Sequence, residues 1–152
     1  MTKPIPDGYP RVVPYLIVDG AADAIDFYTS VLGAAQRGDR MEAPGGKVGH
    51  AELALGDSLI MLADEFPDFG GSGPRTVGGT PVTIHVYVED VEDVFARALA
   101  AGATELRPVT TEFYGDRSGH FEDPWGHRWN VSTHVEDVPP EEMAERAKAA
   151  MA

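Results

Sequence analysis

The segment HFEDPWGHRWNVSTH, residues 120–134, concentrates side chains that could do chemistry. It contains three of the five histidines, His120, His127 and His134, with two acidic residues and two tryptophans among them. Imidazole and carboxylate groups bind metal ions and transfer protons near neutral pH. The segment is therefore a metal site, the wall of an active site, or a strand that happens to be rich in histidine.

A spacing of seven would align the histidines on a helix, but Pro124 and Gly126 exclude a helix here. The segment instead predicts a β-hairpin that turns at residues 123–126. With that turn, Phe121 is expected to lie opposite Arg128.

Side chains alternate between the two faces of a strand. We therefore expect Arg128 and Asn130 to point into a concave surface, and His120 and His127 to share the other face. Three histidines around one metal ion are not expected. The Arg128 guanidinium could bind an anionic ligand through two parallel hydrogen bonds, or could form an ion pair with Glu52.

Composition excludes several classes of protein. The 152 residues include 25 acidic and 12 basic ones, for a formal net charge of −13, which argues against binding to nucleic acid or to an anionic membrane. Cysteine is absent, so disulfides and thiolate metal sites are excluded. With 43% hydrophobic residues and no apolar run of about 20, the chain is expected to be a soluble, cytoplasmic protein with a real core.

The elements that position these residues form two similar runs. The first run begins at Val18 and reads VDGAADAIDFYTSVLGA; the second begins at Val88 and reads VEDVEDVFARALAAGA. Each run predicts the end of a strand, an acidic residue and a helix that ends at Gly-Ala, and a hairpin follows each. A strand over residues 11–19 precedes the first helix, and its Pro14 favours an edge position. Gly56 and Asp57 lie between two apolar runs and predict the turn of the first hairpin. The expected organisation is an arm (1–10), a first βαβββ module (11–66), a Gly-rich flexible connector (67–80), a second βαβββ module (81–135) and a C-terminal helix (136–152).

Four stretches together resemble the vicinal-oxygen-chelate superfamily, which includes glyoxalase I, bleomycin- and fosfomycin-resistance proteins and extradiol dioxygenases. They are VDGAADAIDFYTSVLG (18–33), HAELALGDSLIMLADE (50–65), YGDRSG (114–119) and EDPWGHRW (122–129). The resemblance covers about residues 10–135, and the second and third stretches look like the phosphonate-operon-associated glyoxalase-like branch.

The resemblance implies an α+β fold in which two βαβββ modules form a curved, partly closed mixed sheet around a cleft, with helices outside. It also implies a homodimer, a small-molecule ligand and, in enzymatic members, a divalent metal such as Zn, Ni, Fe or Mn. Aligned on the helix starts, three of the usual ligand positions hold poor ligands: Val12, Thr83 and Asn130. Glu52 is the one acid that the alignment retains.

A rearranged metal site would use His50, Glu52 and His85, because His50 shares a strand face with Glu52 and His85 with Thr83. The alternative is that these three residues line a cleft without metal. As catalytic residues we expect His85 as general base and Glu52 as its orienting or acidic partner. The residues expected to contact substrate are His50, Tyr87, Phe121, Trp125, Arg128 and Asn130.

Two function classes remain open on the sequence. One is a glyoxalase-like lyase, isomerase or dioxygenase-type enzyme that acts on a small oxygenated metabolite with a degenerate metal site. The other is a non-enzymatic dimer that sequesters a drug, like the bleomycin-resistance proteins. A dimer without any ligand is a third, weaker interpretation.

Overall fold

The computed structural model describes residues 1–152, which divide into two compact units, Met1–Gly79 and Thr80–Ala152. Each unit contains its own mixed β-sheet and at least one helix packed on it. The expected α+β class is thereby confirmed. Neither sheet closes on itself, and the curved, partly closed sheet around a cleft stays a prediction.

The first unit has a five-stranded sheet in which β5 lies between β1 and β4, and β2 and β3 both pair with β4. Strand β1 runs parallel to β5, whereas the other pairs are antiparallel. The elements are β1 (Tyr15–Val18), α1 (Ala21–Leu32), β2 (Ala35–Gln36), β3 (Met41–Ala43), β4 (Lys47–Leu55) and β5 (Ser58–Asp64).

Local sequence explains most of this unit. Helix α1 ends where the left-handed Gly33 (φ 71°) caps it, as the sequence predicts. Strands β4 and β5 form the expected hairpin about Gly56 and Asp57. Strand β1 lies at an edge, in agreement with Pro14, but it is shorter than the expected strand over residues 11–19.

The connector contains more structure than its glycines suggest. A 3₁₀ turn spans Pro67–Phe69, and a four-residue helix, α2, spans Pro74–Val77. Glu65 anchors this segment, because its carboxylate accepts hydrogen bonds from the backbone N–H of Gly73 and the hydroxyl of Thr76.

The second unit has a four-stranded sheet in the order β6-β9-β8-β7, with β6 parallel to β9 and the other pairs antiparallel. A C-terminal helix, α4, follows the sheet and buries none of its residues. No helix is long and apolar enough to cross a membrane. The elements are β6 (Thr83–Tyr87), α3 (Val91–Ala100), β7 (Thr104–Thr111), β8 (Asp116–Glu122), β9 (Arg128–His134) and α4 (Pro140–Ala150).

Helix α3 covers one face of the second sheet. Its Phe95 ring meets the ring of Phe121 edge to face at 6.3 Å, and Phe121, Trp129 and Val131 are all fully buried. Close approach of the helix requires Gly119, because a Cβ there would lie 2.8 Å from carbon atoms of both Phe95 and Val109.

We predict that Gly119→Ala lowers the free energy of unfolding by about 1–3 kcal/mol, because the added methyl group overpacks the contact between α3 and the sheet. Gly49→Ala is the matched control in a strand of the first unit, where the new Cβ would lie at an ordinary 3.4 Å from Met41. Urea unfolding of both variants measures the effect. Equal stability of Gly119→Ala and the wild type would contradict this account of the packing.

Candidate functional site

The hairpin between β8 and β9 is organised by one buried carboxylate. Asp123 Oδ1 accepts hydrogen bonds from the backbone N–H groups of Trp125 and His127, both at 3.0 Å. Its Oδ2 accepts from the indole N–H of Trp129 at 2.9 Å. Because the N–H of Asp123 also donates to the carbonyl of His127 at 2.8 Å, the loop proper is only residues 124–126.

This shorter loop shifts the register by one residue from the expected one. Phe121 pairs with Trp129, and His120 pairs directly with Asn130. The expectation that Phe121 lies opposite Arg128 is therefore wrong, and so is the expectation that His120 and Asn130 occupy different faces. Phe121 is fully buried beneath α3 and has no surface to offer a substrate.

The sheet face opposite α3 carries two rows of hydrogen-bonding side chains, because residues paired across neighbouring strands point the same way. One row runs across all four strands and the second lies beside it. We call these eight residues the polar face: His85, Asn130, His120 and Arg107 in the first row, and Tyr87, Ser132, Ser118 and Thr110 in the second.

Within the polar face, the Nδ2 atom of Asn130 lies 3.1 Å from Nδ1 of His85, and the His85 and Tyr87 rings are 4.8 Å apart. Ser132 donates to Oδ1 of Asn130, so the Asn130 amide is oriented to donate to His85. In its neutral form, His85 then carries its proton on Nε2. Tyr87, whose side chain is largely exposed, and His85 together present an aromatic ring and an N–H donor.

A second network lies at the end of the sheet. The buried carboxylate of Asp116 accepts from the Tyr87 hydroxyl at 2.9 Å and lies 2.8 Å from Nδ1 of His134. Nε2 of His134 is 2.7 Å from Asp137. The hydrogen bond to Asp116 raises the pKa of Tyr87, and hydrogen bonds to Asp116 and then Asp137 raise the pKa of His134.

His120 has a different environment. Its half-buried imidazole makes no hydrogen bond to any protein group, although Arg107 is its direct partner across the sheet. Burial lowers the pKa of His120, and the charge of Arg107 adds to that effect. The Arg107 guanidinium lies 2.8 Å from Oε1 of Glu112, an atom that is buried and accepts no well-directed hydrogen bond.

Two other expected contact residues lie at the hairpin end. Arg128 is half exposed, and its Nε atom is 3.7 Å from Glu122, which is too long for a strong ion pair. Trp125 is half-buried in the loop and donates its backbone N–H to Asp123.

The first unit has its own polar cluster, centred on Glu52. The Tyr9 hydroxyl donates to Oε1 at 2.7 Å, and Nε2 of His50 is 2.9 Å from Oε2. The Tyr15 hydroxyl completes a chain at 2.8 Å from Nδ1 of His50. Hydrogen bonds from His50 and then Tyr9 lower the pKa of Glu52, so this carboxyl group is ionised. Arg37 stacks on the Tyr9 ring at 4.4 Å.

The side chains do not fit a metal ion. No group of three or more His, Asp or Glu side chains lies together so as to hold one. At the usual ligand positions, Val12 is 82% exposed and apolar, Thr83 offers a hydroxyl, and the Asn130 amide is engaged with His85. The metal set His50, Glu52 and His85 stays a prediction, and no step below is routed through a metal.

Several residues of these clusters were not expected from the sequence, among them Tyr9, Tyr15, Arg107 and His120. The sequence carried a signal for His120 alone. Gly126 (φ 93°) stands third in the loop, and a glycine there is typical of a three-residue loop. A loop of that length places His120 opposite Asn130. Tyr9 is 43 residues from Glu52 in the chain, and no local pattern links them.

The two unusual histidines predict opposite dependences of stability on pH. His134 has a raised pKa in the folded protein. Its contribution to the free energy of unfolding is therefore fully present below pH 6.5, the pKa of the group in the unfolded chain, and is lost as the pH rises through the higher pKa of the folded state. His120 has a lowered pKa in the folded protein. Its contribution to the free energy of unfolding is therefore present above pH 6.5 and is lost as the pH falls through the lower pKa of the folded state.

We therefore predict that His134→Gln is most destabilising near pH 6 and less so near pH 8.5, whereas the relative stability of His120→Gln improves as the pH falls. Urea unfolding midpoints of both variants and the wild type, measured between about pH 5.5 and 8.5, test this. The same pH dependence in both variants would contradict the assigned environments.

Comparison with known proteins places this geometry in a family. Residues 9–131 match the sequence model of the glyoxalase/bleomycin resistance protein/dioxygenase superfamily. The uncharacterized protein Mb0911c of Mycobacterium bovis is 43% identical over 137 residues, which are 88% of this chain and 90% of that protein.

Solved structures agree. Protein PA1353 of Pseudomonas aeruginosa has a TM-score of 0.67 and 25% identity, with 84% of this chain and 99% of that chain covered. The PhnB protein of Bacillus cereus has a TM-score of 0.63 at 20% identity, with 82% and 99% covered, and is alike in fold alone. The chain therefore belongs to the glyoxalase/bleomycin resistance protein/dioxygenase superfamily.

Proposed function

We propose that this protein binds a small oxygenated molecule on the polar face of its second unit, by hydrogen bonds rather than by metal coordination. The observation that carries the proposal is the row of His85, Asn130, His120 and Arg107, which continues in register across all four strands. A sheet face that only met water would not need the half-buried imidazole of His120 in line with the exposed imidazole of His85.

The chemistry of the polar face favours an oxygen-rich ligand. Imidazole, amide and hydroxyl groups both donate and accept hydrogen bonds, as the hydroxyl and carbonyl groups of a metabolite require. Ser118 and Ser132 are fully buried and hydrogen-bonded to each other at 2.6 Å, so they form a rigid floor rather than free contacts.

If the protein is an enzyme of the lyase, isomerase or dioxygenase type, His85 is the proposed catalytic residue of the second unit. The Nε2–H group of His85 points away from Asn130, so it would donate to a ligand carbonyl and polarise it. For His85 to act as a base through Nε2, the proton would have to be on Nδ1 instead, and the hydrogen bond from Asn130 would be lost. In the first unit, Glu52 is the proposed acid–base residue, and Tyr15 and His50 form a proton relay to it. Ligand contacts by Tyr87, Asn130, Arg128 and Trp125 are part of the same proposal.

Drug sequestration is the second candidate. It is favoured by the net charge of −13, which attracts cationic ligands, and by the Tyr87 ring, which is 62% exposed. Membership in the phosphonate-operon-associated branch, a homodimeric state and a cytoplasmic location are further proposals that rest on the family resemblance.

We predict that binding does not depend on metal. Chelator-treated protein should give the same thermal shifts with a panel of hydroxy-ketones and hydroxy-acids as protein supplied with nickel, zinc, iron or manganese. Binding that appears only after a metal is restored would overturn the proposal. Titration with a cationic glycopeptide distinguishes the sequestration function.

We further predict that His85→Ala weakens binding of any hit from that panel about tenfold, because one hydrogen bond to the ligand is lost. Arg117→Lys is the control, since Arg117 is next to Ser118 of the polar face in β8 but pairs with Glu92 of α3. Isothermal titration of both variants gives the affinities. Unchanged affinity in His85→Ala would remove His85 from the site.

A further inference from the structure

His120 and Glu112 have unmet hydrogen-bonding capacity in the same part of the second unit. The His120 imidazole is half-buried and has no protein hydrogen-bond partner. Oε1 of Glu112 is buried, and the Arg107 guanidinium 2.8 Å from it is not oriented to donate to it. Leaving a buried acceptor without a donor costs free energy, so Glu112, beside an imidazole that also has no protein partner, indicates a missing hydrogen-bond donor.

Charge in this cluster is already balanced. The Arg107 cation and the Glu112 anion are 2.8 Å apart, and burial together with Arg107 favours the neutral form of His120. Glu112 opposes this effect by raising the pKa of His120, and His85, at the far end of the row, lowers it. A ligand with a full charge would therefore meet a group of like sign as well as one of opposite sign.

We propose that Arg107, Glu112 and His120 form a recognition subsite for a hydroxyl group of an uncharged ligand. This proposal rests on the proposed function, which it deepens by naming the ligand class. A hydroxyl group fits because it donates one hydrogen bond and accepts others. When the half-exposed Arg107 side chain moves off Oε1 of Glu112, that oxygen accepts a hydrogen bond from the ligand hydroxyl. A guanidinium N–H of Arg107 or the imidazole N–H of His120 then donates to the hydroxyl oxygen.

Arg107 suits this role better than Arg128. Its side chain is 50% exposed, and none of its N–H groups makes a hydrogen bond of good geometry to the protein. It also lies directly beside His120 across the sheet. Arg128, by contrast, lies beside Glu122 at the hairpin end and has no unsatisfied carboxylate oxygen near it.

The experiment compares three matched three-carbon probes: neutral dihydroxyacetone, anionic glycerate and cationic 3-aminopropane-1,2-diol. Chemical shifts of the histidine ring nitrogens report binding residue by residue in the full-length protein. We expect dihydroxyacetone to shift the ring signals of His120. We expect Glu112→Gln and His120→Gln each to weaken that probe about tenfold. Glu122→Gln, the same change on a carboxylate of the same sheet, is the control and should bind like the wild type.

The outcomes separate the subsite from the general function. If dihydroxyacetone shifts His85 but not His120, the subsite is overturned and the proposed function stands. If only glycerate or only the amine binds, the uncharged class is overturned. If no probe shifts any histidine, both the subsite and the oxygenated-ligand function fail.

A purely structural role is tested by stability. A group kept for a ligand contributes little to folding, so His120→Gln should have a melting temperature within about 2 °C of the wild type at pH 7.5. A loss of more than about 5 °C would show that His120 is a packing residue and would overturn the subsite.

Discussion

The buried carboxylate of Asp123 fixes the register on which the rest of the second unit depends. Its two oxygens accept three hydrogen bonds, two from the loop backbone and one from the Trp129 indole. A loop of another length would break these three hydrogen bonds together and leave buried polar groups unpaired, so this turn has one favoured length. Because strand side chains alternate, a slip of one residue would move every side chain of β8 to the opposite face relative to β9. Phe121 and His120 would then exchange faces.

That register gives the sheet two chemically distinct faces. The face against α3 is apolar and tightly packed, down to a glycine at position 119 where even a methyl group does not fit. The polar face carries imidazole, amide, hydroxyl and guanidinium groups, and its arginine, Arg107, is paired with Glu112 of the same unit. The strongly acidic net charge of the chain therefore does not describe this face. Ligand selection here follows from local hydrogen bonding, whereas the overall charge acts on approach from a distance.

Features encoded in a few neighbouring residues could be predicted from the sequence. The end of α1 at Gly33, the hairpin about Gly56 and the α+β class are of this kind. The site was predictable only in part. Strand alternation is enough to place three residues on one face: His85, Asn130 and Tyr87. The face that His120 occupies depends on whether the hairpin loop has three or four residues. Contacts between distant segments, such as that of Tyr9 with Glu52, depend on tertiary packing and leave no local pattern. The strand expected over residues 11–19 was too long because apolar composition alone does not distinguish a paired segment from the exposed one around Val12.

The two units carry corresponding cross-strand rows of side chains that differ in chemistry. Tyr15 and His85 each stand three residues before the corresponding valines of the repeat, and each begins a cross-strand row. The first row continues through Met61 to Glu52, and the second through Asn130 to His120. In the first unit the titratable group at the end of this row is fully engaged by its neighbours, since both Glu52 oxygens have partners. In the second unit the corresponding imidazole, His120, has none, so its hydrogen-bonding capacity is available to the ligand that we propose.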